Sequence, residues 1–596
     1  MAHKALIGGT SYSINGGTSL VSGTKYNIKS GRTLVNGTGY DINFKQDAYA
    51  MYYTDNSMVF QLGDDSDTSK TLYRKYTGFT DIEMNYASSV PWYANKYNLT
   101  SVSFNDEISP ISIAFWFDGA KNLTANISSF TNLNMNEVTS MYTTYRNCYN
   151  ITGSPVCGAK VTNMVNTYYD CANLTGNAAC GDNVTNMVNA YYNCRNLNGS
   201  PACGANVIDM TNTYRNCYSL TGSPVCGANV TNMVYAYYNC SNLKGDAACG
   251  DNVTDMTFTY YNCRNLTGSP ACGINVTNMY MTYYYCTNLT GNPVCGANVI
   301  NMANSYHNCY NLTGDAACGI NVTNMAYAYC NCYGLTGNAA CGDNVTNMAN
   351  AYYNCYGLNG SPACGDKVTS MMNTYWNCRN LTGNPVCGAN VSIMDNTYTY
   401  CINLTGSPAC GNKVTSMMNA YYGCINLTGN PACGANVSIM AYTYYGCTKL
   451  TGRPVCGAKV TNMAYAYYNC SNLTGSPVCG ANVTNMVYAY YGCVNLSGNP
   501  VCGNKVTNLW NAYRLCRNVR GTMYIYSNNV SNVSNCFNGR NTFSRLNIYV
   551  YRNSITHNTI KNGTTTARSI TGTSLTWTNT TNGFYNSQQN IYVYYL

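Results

Sequence analysis

Val184-Thr185-Asn186-Met187-Val188-Asn189-Ala190-Tyr191-Tyr192-Asn193-Cys194-Arg195-Asn196-Leu197-Asn198-Gly199-Ser200-Pro201-Ala202-Cys203-Gly204-Ala205-Asn206 is one of a run of near-copies that recur every 23 residues from about Val138 to Cys516. A unit this short cannot bury its own apolar face. It must stack on its neighbours as a solenoid, each coil covering the next. Function in such a fold lies on an extended surface rather than in a pocket.

The repeat can be compared with itself slot by slot. One cysteine series runs from Cys148 to Cys516 and a second from Cys157 to Cys502. Three residues before each first-series Cys stands Tyr, from Tyr145 to Tyr513; three after it stands Leu, with Ile151 and Val519 at the ends. Seven before it comes Met, with Leu509 last, and ten before it Val. Slots that stay apolar from coil to coil are expected to face the shared interior. The core ladders are therefore represented by Tyr168, Cys171, Leu174, Cys180 and Met187.

The slot two before the first-series Cys varies but keeps aromatic or Arg character. It holds Tyr169, Tyr192, Arg215, Tyr238, Tyr261, Tyr284, Tyr353, Trp376, Tyr422, Tyr445, Tyr468 and Tyr491, with Arg146, His307, Cys330, Thr399 and Arg514 between or beside them. This is read as a solvent-facing stripe. Coils about 4.8 Å apart would make it a ladder, and roughly 17 coils a rod on the order of 80 Å. Two readings compete: cross-coil stacking that stiffens the solenoid, at about 0.2–1 kcal/mol per pair, and a recognition surface, since Tyr, Trp and Arg dominate binding hot spots. Tyr offers sugars both a flat apolar face and a hydroxyl edge.

The spacing Val-Thr-Asn-Met, Ala-Tyr-Tyr-Asn-Cys, Asn-Leu-Thr-Gly resembles the BspA-like leucine-rich repeat, also a 23-residue unit, over roughly residues 90–540. Tyr stands where that family has a buried Phe, Met where it has Ile, and Gly-Ser-Pro-Val-Cys lacks the usual second aliphatic residue. The resemblance implies a right-handed solenoid with short parallel β-strands, used in adhesion and without a catalytic role.

The flanks differ. Residues 1–45 carry a 14-residue repeat, Gly9-Thr10-Ser11-Tyr12-Ser13-Ile14, Gly23-Thr24-Lys25-Tyr26-Asn27-Ile28 and Gly37-Thr38-Gly39-Tyr40-Asp41-Ile42, that reads as β-hairpins. Such a ribbon is too small to fold alone and is expected to dock on another protein or on copies of itself. It resembles N-terminal segments of tailed-bacteriophage structural proteins. Residues 46–98 read as a β-rich junction, 99–516 as the solenoid and 517–596 as irregular capping coils, with strand-like runs at Met523–Tyr526, Leu546–Tyr551 and Ile591–Tyr594.

Thirty-five cysteines in regular ladders are read as buried thiols, with disulfides between coils the alternative. Spacings of 9 and 14 residues do not match zinc sites, so no metal is expected. Catalysis has little support: the histidines are His3, His307 and His557, and charged residues make up 9% of the chain. Asp182, Asp251 and Asp343 fit Asx turns. No cofactor is implied. The net charge of +9 is read as spread along the chain, arguing against nucleic acid and only biasing the protein towards anionic cell-wall polymers.

Residues 1–9 lack the apolar region of a secretory signal, and no run of about 18 apolar residues exists to enter a membrane. The expectation is a non-enzymatic phage virion protein, a tail fibre or receptor-binding protein made in the host cytoplasm. Its N-terminal region would join other virion proteins, and its aromatic stripe would meet a host cell-surface glycan or protein. A passive decorating fibre and a cellular surface adhesin are the alternatives; a homo-oligomer is compatible with each.

Overall fold

The computed structural model describes residues 47–339 and 341–596, and within residues 1–46 the backbone of six strands. These pair as three antiparallel hairpins: β1 (His3–Ile7) with β2 (Thr10–Ile14), β3 (Thr18–Val21) with β4 (Thr24–Asn27), and β5 (Ser30–Val35) with β6 (Thr38–Asn43). The chain divides into two compact units, Met1–Leu220 and Thr221–Leu596.

In the first unit a four-stranded sheet closes the start of the repeat array. Its order is β10 (Ser101–Phe104), β8 (Ser57–Leu62), β7 (Ala48–Tyr53), β9 (Leu72–Tyr76). Phe60 stacks on Phe104 and Trp116 at 4.7 and 5.3 Å and meets Trp92 edge-on. Beside this aromatic plug Lys96 is wholly buried and pairs with Asp118 at 3.2 Å, while Arg146 reaches the other Asp118 oxygen at 2.8 Å. Burial pushes the Lys96 amine below its usual range, and Asp118 offsets part of that shift. Arg146, the first residue of the stripe, is thus an end-cap ion pair.

Each coil is a chain of turns. In the coil quoted above, Met187, Asn189, Tyr191 and Asn193 donate their N–H groups to the following coil, at Asp209, Thr211, Thr213 and Arg215, over 2.8–3.0 Å. The intervening Ala190 and Cys194 donate back three residues within the coil, as does Leu197. That alternation requires left-handed backbone at two places, and φ is +56° at Asn189 and +60° at Asn193. The same two slots are left-handed along the array and are mostly Asn, the non-glycine residue that best tolerates that conformation.

Here the structure departs from the expectation of short parallel strands. Among the described residues the array holds single-residue parallel bridges, such as Asn163 with Asn186 and Asn186 with Asp209. With every second N–H turned back into its own coil, no extended run can form.

The core is as regular as the sequence. Val184, Met187, Tyr191, Cys194 and Leu197 are fully buried, and Tyr168, Cys171, Leu174 and Met187 all lie inside. Cys180 is a correction: it and nearly all of its series are half-buried, because they sit on the irregular connection, Gly176-Asn177-Ala178-Ala179-Cys180 in this coil, and not on the turns that carry the first series. Core tyrosines stack coil on coil, Tyr168–Tyr191 at 5.3 Å in the first unit and Tyr352–Tyr375 at 5.4 Å in the second. From Tyr168 onward the hydroxyl does a second job. Tyr191 Oη donates to the Ala179 carbonyl at 2.6 Å and accepts from its N–H at 2.9 Å, pinning the segment before the second Cys. The phenol thus ties down the segment in which the usual aliphatic residue is missing.

The 35 cysteines are free thiols. First-series thiols donate across coils, Cys194 Sγ to the Tyr168 carbonyl at 3.1 Å, while second-series sulfurs accept, Cys180 Sγ from Gly204 N–H at 3.1 Å. Burial raises their pKa: Cys157 to about 11, Cys180 to about 12, Cys171 well above its ordinary value near 9. The folded state therefore holds protons that the unfolded chain releases. The stability this gives is complete below pH 9 and is lost as pH rises through 11–12. We expect circular dichroism to show unfolding within that window. At pH 8, iodoacetamide should leave the first series unmodified until guanidinium is added; ready native labelling of Cys194 would contradict the packing.

The C-terminal region of the second unit is a five-stranded sheet. The three strand-like runs become parallel β11 (Gly521–Ile525), β12 (Leu546–Val550) and β15 (Ile591–Tyr595), with β14 (Gly583–Asn586) and β13 (Thr578–Thr580) antiparallel beyond them. Helix α1 (Ile555–Asn562) begins at Ser554, whose hydroxyl accepts from His557 N–H.

Candidate functional site

The stripe residues Tyr169, Tyr192, Arg215, Tyr238, Tyr261, Tyr284, Tyr353, Trp376, Tyr422, Tyr445, Tyr468 and Tyr491 are all half-buried. Coil stacking sets them ring on ring. In the first unit Tyr169 and Tyr192 lie 4.6 Å apart and Arg215 covers the far face of Tyr192 at 5.5 Å. In the second unit one run joins Tyr238, Tyr261 and Tyr284 at 4.6 and 4.9 Å and ends on His307. A second is Tyr353–Trp376 at 4.5 Å. The longest joins Tyr422, Tyr445, Tyr468 and Tyr491 at 4.4–4.5 Å, with Arg514 over the last ring. Cys330 and Thr399 are buried where they interrupt the line.

This geometry corrects one expectation. Rings within 5° of parallel at about 4.5 Å cover each other's faces. A sugar cannot lie flat on an interior ring. What the ladder offers outward is a row of ring edges and phenol hydroxyls at the coil spacing. Burial and the neighbouring phenols push the Tyr468 hydroxyl up to about 12, so it stays protonated at neutral pH.

A second aromatic line lies three residues before the first, in a slot that is otherwise mostly Asn. Tyr442, Tyr465 and Tyr488 stack at 4.6 Å, and Tyr235 stacks on Phe258 at 4.7 Å. Their φ values are +54° to +59°, a conformation that costs a bulky L-residue about 1–2 kcal/mol. The left-handed backbone belongs to every coil; what is particular to these coils is that a bulky ring occupies it where most coils have Asn. Tyr465 and Tyr488 tilt against Tyr468 and Tyr491 at 5.9 and 5.5 Å, so from Tyr422 to Trp510 the aromatic face is two rings wide. The sequence reading passed over this line, although the exchange of Asn for Tyr or Phe in one slot signals it. A third ladder, Tyr310–Tyr333–Tyr356, ends under Arg379.

His307 is half-buried and burial drops it to about 4, which keeps it neutral within the ladder. Among the described residues no three His, Cys, Asp or Glu side chains gather where they could hold a metal ion, and no helix is long and apolar enough to cross a membrane.

Residues 92–202 match the family described as "Mycoplasma protein of unknown function, DUF285". No curated protein matches the chain. Among solved structures, a leucine-rich repeat protein from Bacteroides ovatus is similar at 12% identity and TM-score 0.32, over 80% of this chain and 97% of that one. A leucine-rich cell surface protein from Faecalibacterium prausnitzii is similar at 14% and 0.25, over 52% and 92%, and a leucine-rich repeat protein from Eubacterium ventriosum at 13% and 0.25, over 75% and 92%. The architecture itself is read from this chain's own hydrogen bonds: stacked 23-residue coils joined by a parallel ladder.

Proposed function

We propose that this is a non-enzymatic attachment protein of BspA-like leucine-rich-repeat type, a right-handed solenoid whose aromatic ladders meet a glycan or protein on a cell surface. The observation that carries the reading is the double Tyr line from Tyr442 to Tyr491, half-exposed rings in a left-handed slot that most coils give to Asn. A scaffold role alone would be served by Asn in the strained slot, as in most coils. The outward phenol hydroxyls supply hydrogen bonds, and Tyr and Arg are the residue types on which binding energy concentrates.

In this reading the protein is a tail fibre or receptor-binding protein of a tailed-phage particle, anchored through residues 1–45, and the support is the resemblance of its 14-residue repeat to N-terminal segments of phage structural proteins. The second reading is a cellular surface adhesin, favoured by the match of residues 92–202 to a Mycoplasma family. Immunogold labelling of particles and cells with antibody to residues 140–516 separates them. Label on tail tips supports the phage placement; label on cells alone replaces it with the adhesin.

For the surface itself, Tyr445, Tyr468 and Tyr491 changed together to Phe keep the stack and remove only the hydroxyl edge. We expect this variant to lose about ten-fold in cell adsorption with an unchanged melting midpoint. The corresponding Ala variant should lose adsorption altogether and melt earlier. Full adsorption by both would sink the stripe as a binding surface.

A further inference from the structure

The charge is not spread along the chain. All 22 acidic residues lie at or before Asp395, and none of the last 201 residues is acidic, whereas 13 of the 31 Lys and Arg fall there. The net positive charge of the protein therefore belongs to its C-terminal third, and residues 1–395 carry a slight excess of acid. A single-sign field of this extent selects anionic partners.

One slot shows how the cations are presented. The residue before the buried Val of each coil reads Asn344, Lys367, Asn390, Lys413, Asn436, Lys459, Asn482, Lys505, a strict alternation. All four lysines are exposed. Each Nζ donates to the amide oxygen of the Asn one coil earlier, Lys413 to Asn390 at 2.5 Å, Lys459 to Asn436 at 2.7 Å and Lys505 to Asn482 at 2.8 Å. Those Asn side chains are in turn pinned to backbone, Asn436 Nδ2 to the Asn412 carbonyl at 2.8 Å. In the first unit the same slot pairs differently: Lys160 meets Glu137 of the preceding coil at 2.7 Å. So the first lysine of the slot is neutralised, whereas the last three are held in place by neutral amides, and Lys459 and Lys505 have no acidic residue in their coils. An ammonium has three N–H donors and this contact uses one.

The slot continues into a shallow groove of about 620 Å³ lined by Asn275, Asn298, Asn321, Asn344, Thr277 and Ile300. Amides and hydroxyls there precede the lysine row along the same line of coils.

We propose that the unit Thr221–Leu596 binds a linear anionic polysaccharide laid along this line, with Lys367, Lys413, Lys459 and Lys505 meeting its acidic groups. The proposal rests on the attachment reading and names the chemical class of its receptor. Lysines on alternate coils stand about 10 Å apart, which suits a chain with one anionic group in every second sugar, whether carboxylate, sulfate or phosphate. Nucleic acid fits less well. Duplex DNA carries a charge every ~1.7 Å of axis, and single strands need open aromatic faces, which the ladders cover.

The test uses the full chain and biolayer interferometry against hyaluronate and chondroitin sulfate, with dextran, single-stranded DNA and phosphatidylglycerol vesicles beside them. Binding to one of the first two is expected, none to dextran, with affinity falling about ten-fold or more between ~50 and ~200 mM NaCl. Lys→Gln at 367, 413, 459 and 505 together should cost about ten-fold at an unchanged melting midpoint, and Lys160→Gln should change nothing. Wild-type affinity in the quadruple variant, preference for DNA or vesicles, or no polysaccharide binding at low salt each overturns the proposal. On whole cells the two readings part: adhesion that survives the quadruple variant removes the anionic receptor and leaves attachment standing, whereas a wild-type chain that never adheres removes both.

Discussion

Tyr421→Ala is expected to remove about 3–5 kcal/mol of stability, the usual range for emptying a buried aromatic site. Tyr421 is fully buried and stacked between Tyr398 and Tyr444 at 5.4 and 5.5 Å. Tyr421→Phe is the more informative change. It keeps both stacks and deletes the hydroxyl, which donates to the Ala409 carbonyl at 2.6 Å and accepts from Ala409 N–H at 2.9 Å. Two part-buried backbone groups then lose their partner, at about 1–3 kcal/mol. Guanidinium titration would give the loss, and amide exchange should localise it to the Gly-Ser-Pro-Ala-Cys segment before Cys410. A Phe variant as stable as the parent would mean that the hydroxyl is not what holds that segment. The ends of the ladder set the limit of the argument within each unit. Tyr145 follows no such segment and its hydroxyl is unpartnered, and the stacks close on Phe117 in the first unit and Phe537 in the second.

The second large effect concerns the left-handed slots. Asn354 has φ of +62°, and its amide donates to Asn331 Oδ1 and accepts from Asn377 Nδ2, each at 2.9 Å. Asn354→Val places a β-branched residue where left-handed backbone costs about 1–2 kcal/mol and breaks two rungs of an amide ladder at about 1 kcal/mol each. The expected total is about 3–4 kcal/mol. Asn354→Gly removes the rungs but relieves the backbone, so it should cost about 2 kcal/mol, the rungs alone. Gly423, Gly446 and Gly492 occupy this slot in other coils, also with positive φ. Thermal melts of the two variants decide the matter. Equal destabilisation by Val and Gly would show that the hydrogen bonds, not the backbone, make the slot Asn.

The repeat period and the invariant slots were enough to predict stacked coils and to name Val, Met, Tyr, first-series Cys and Leu as the core. Those residues touch their own copies in the neighbouring coil, so a pattern along the sequence translates directly into contact. The same logic located the aromatic stripe. The segregation of charge was equally open to inspection, since Asp395 is the last acid in the chain, and a count made over the whole length conceals it.

Other features depended on which way backbone and rings point. The turn-built coil with left-handed residues at Asn189 and Asn193, in place of β-strands, follows from N–H groups that alternate between their own coil and the next. Whether Tyr445 shows a face or an edge depended on ring orientation at 4.4 Å, which residue identity does not encode. The half-exposure of Cys180 came from the loose connection on which it sits. Sequence periodicity thus determined which residues stack, because each coil meets a copy of itself. Only the tertiary structure decided what the stack presents to solvent, because that is set by backbone handedness and ring rotation within each coil.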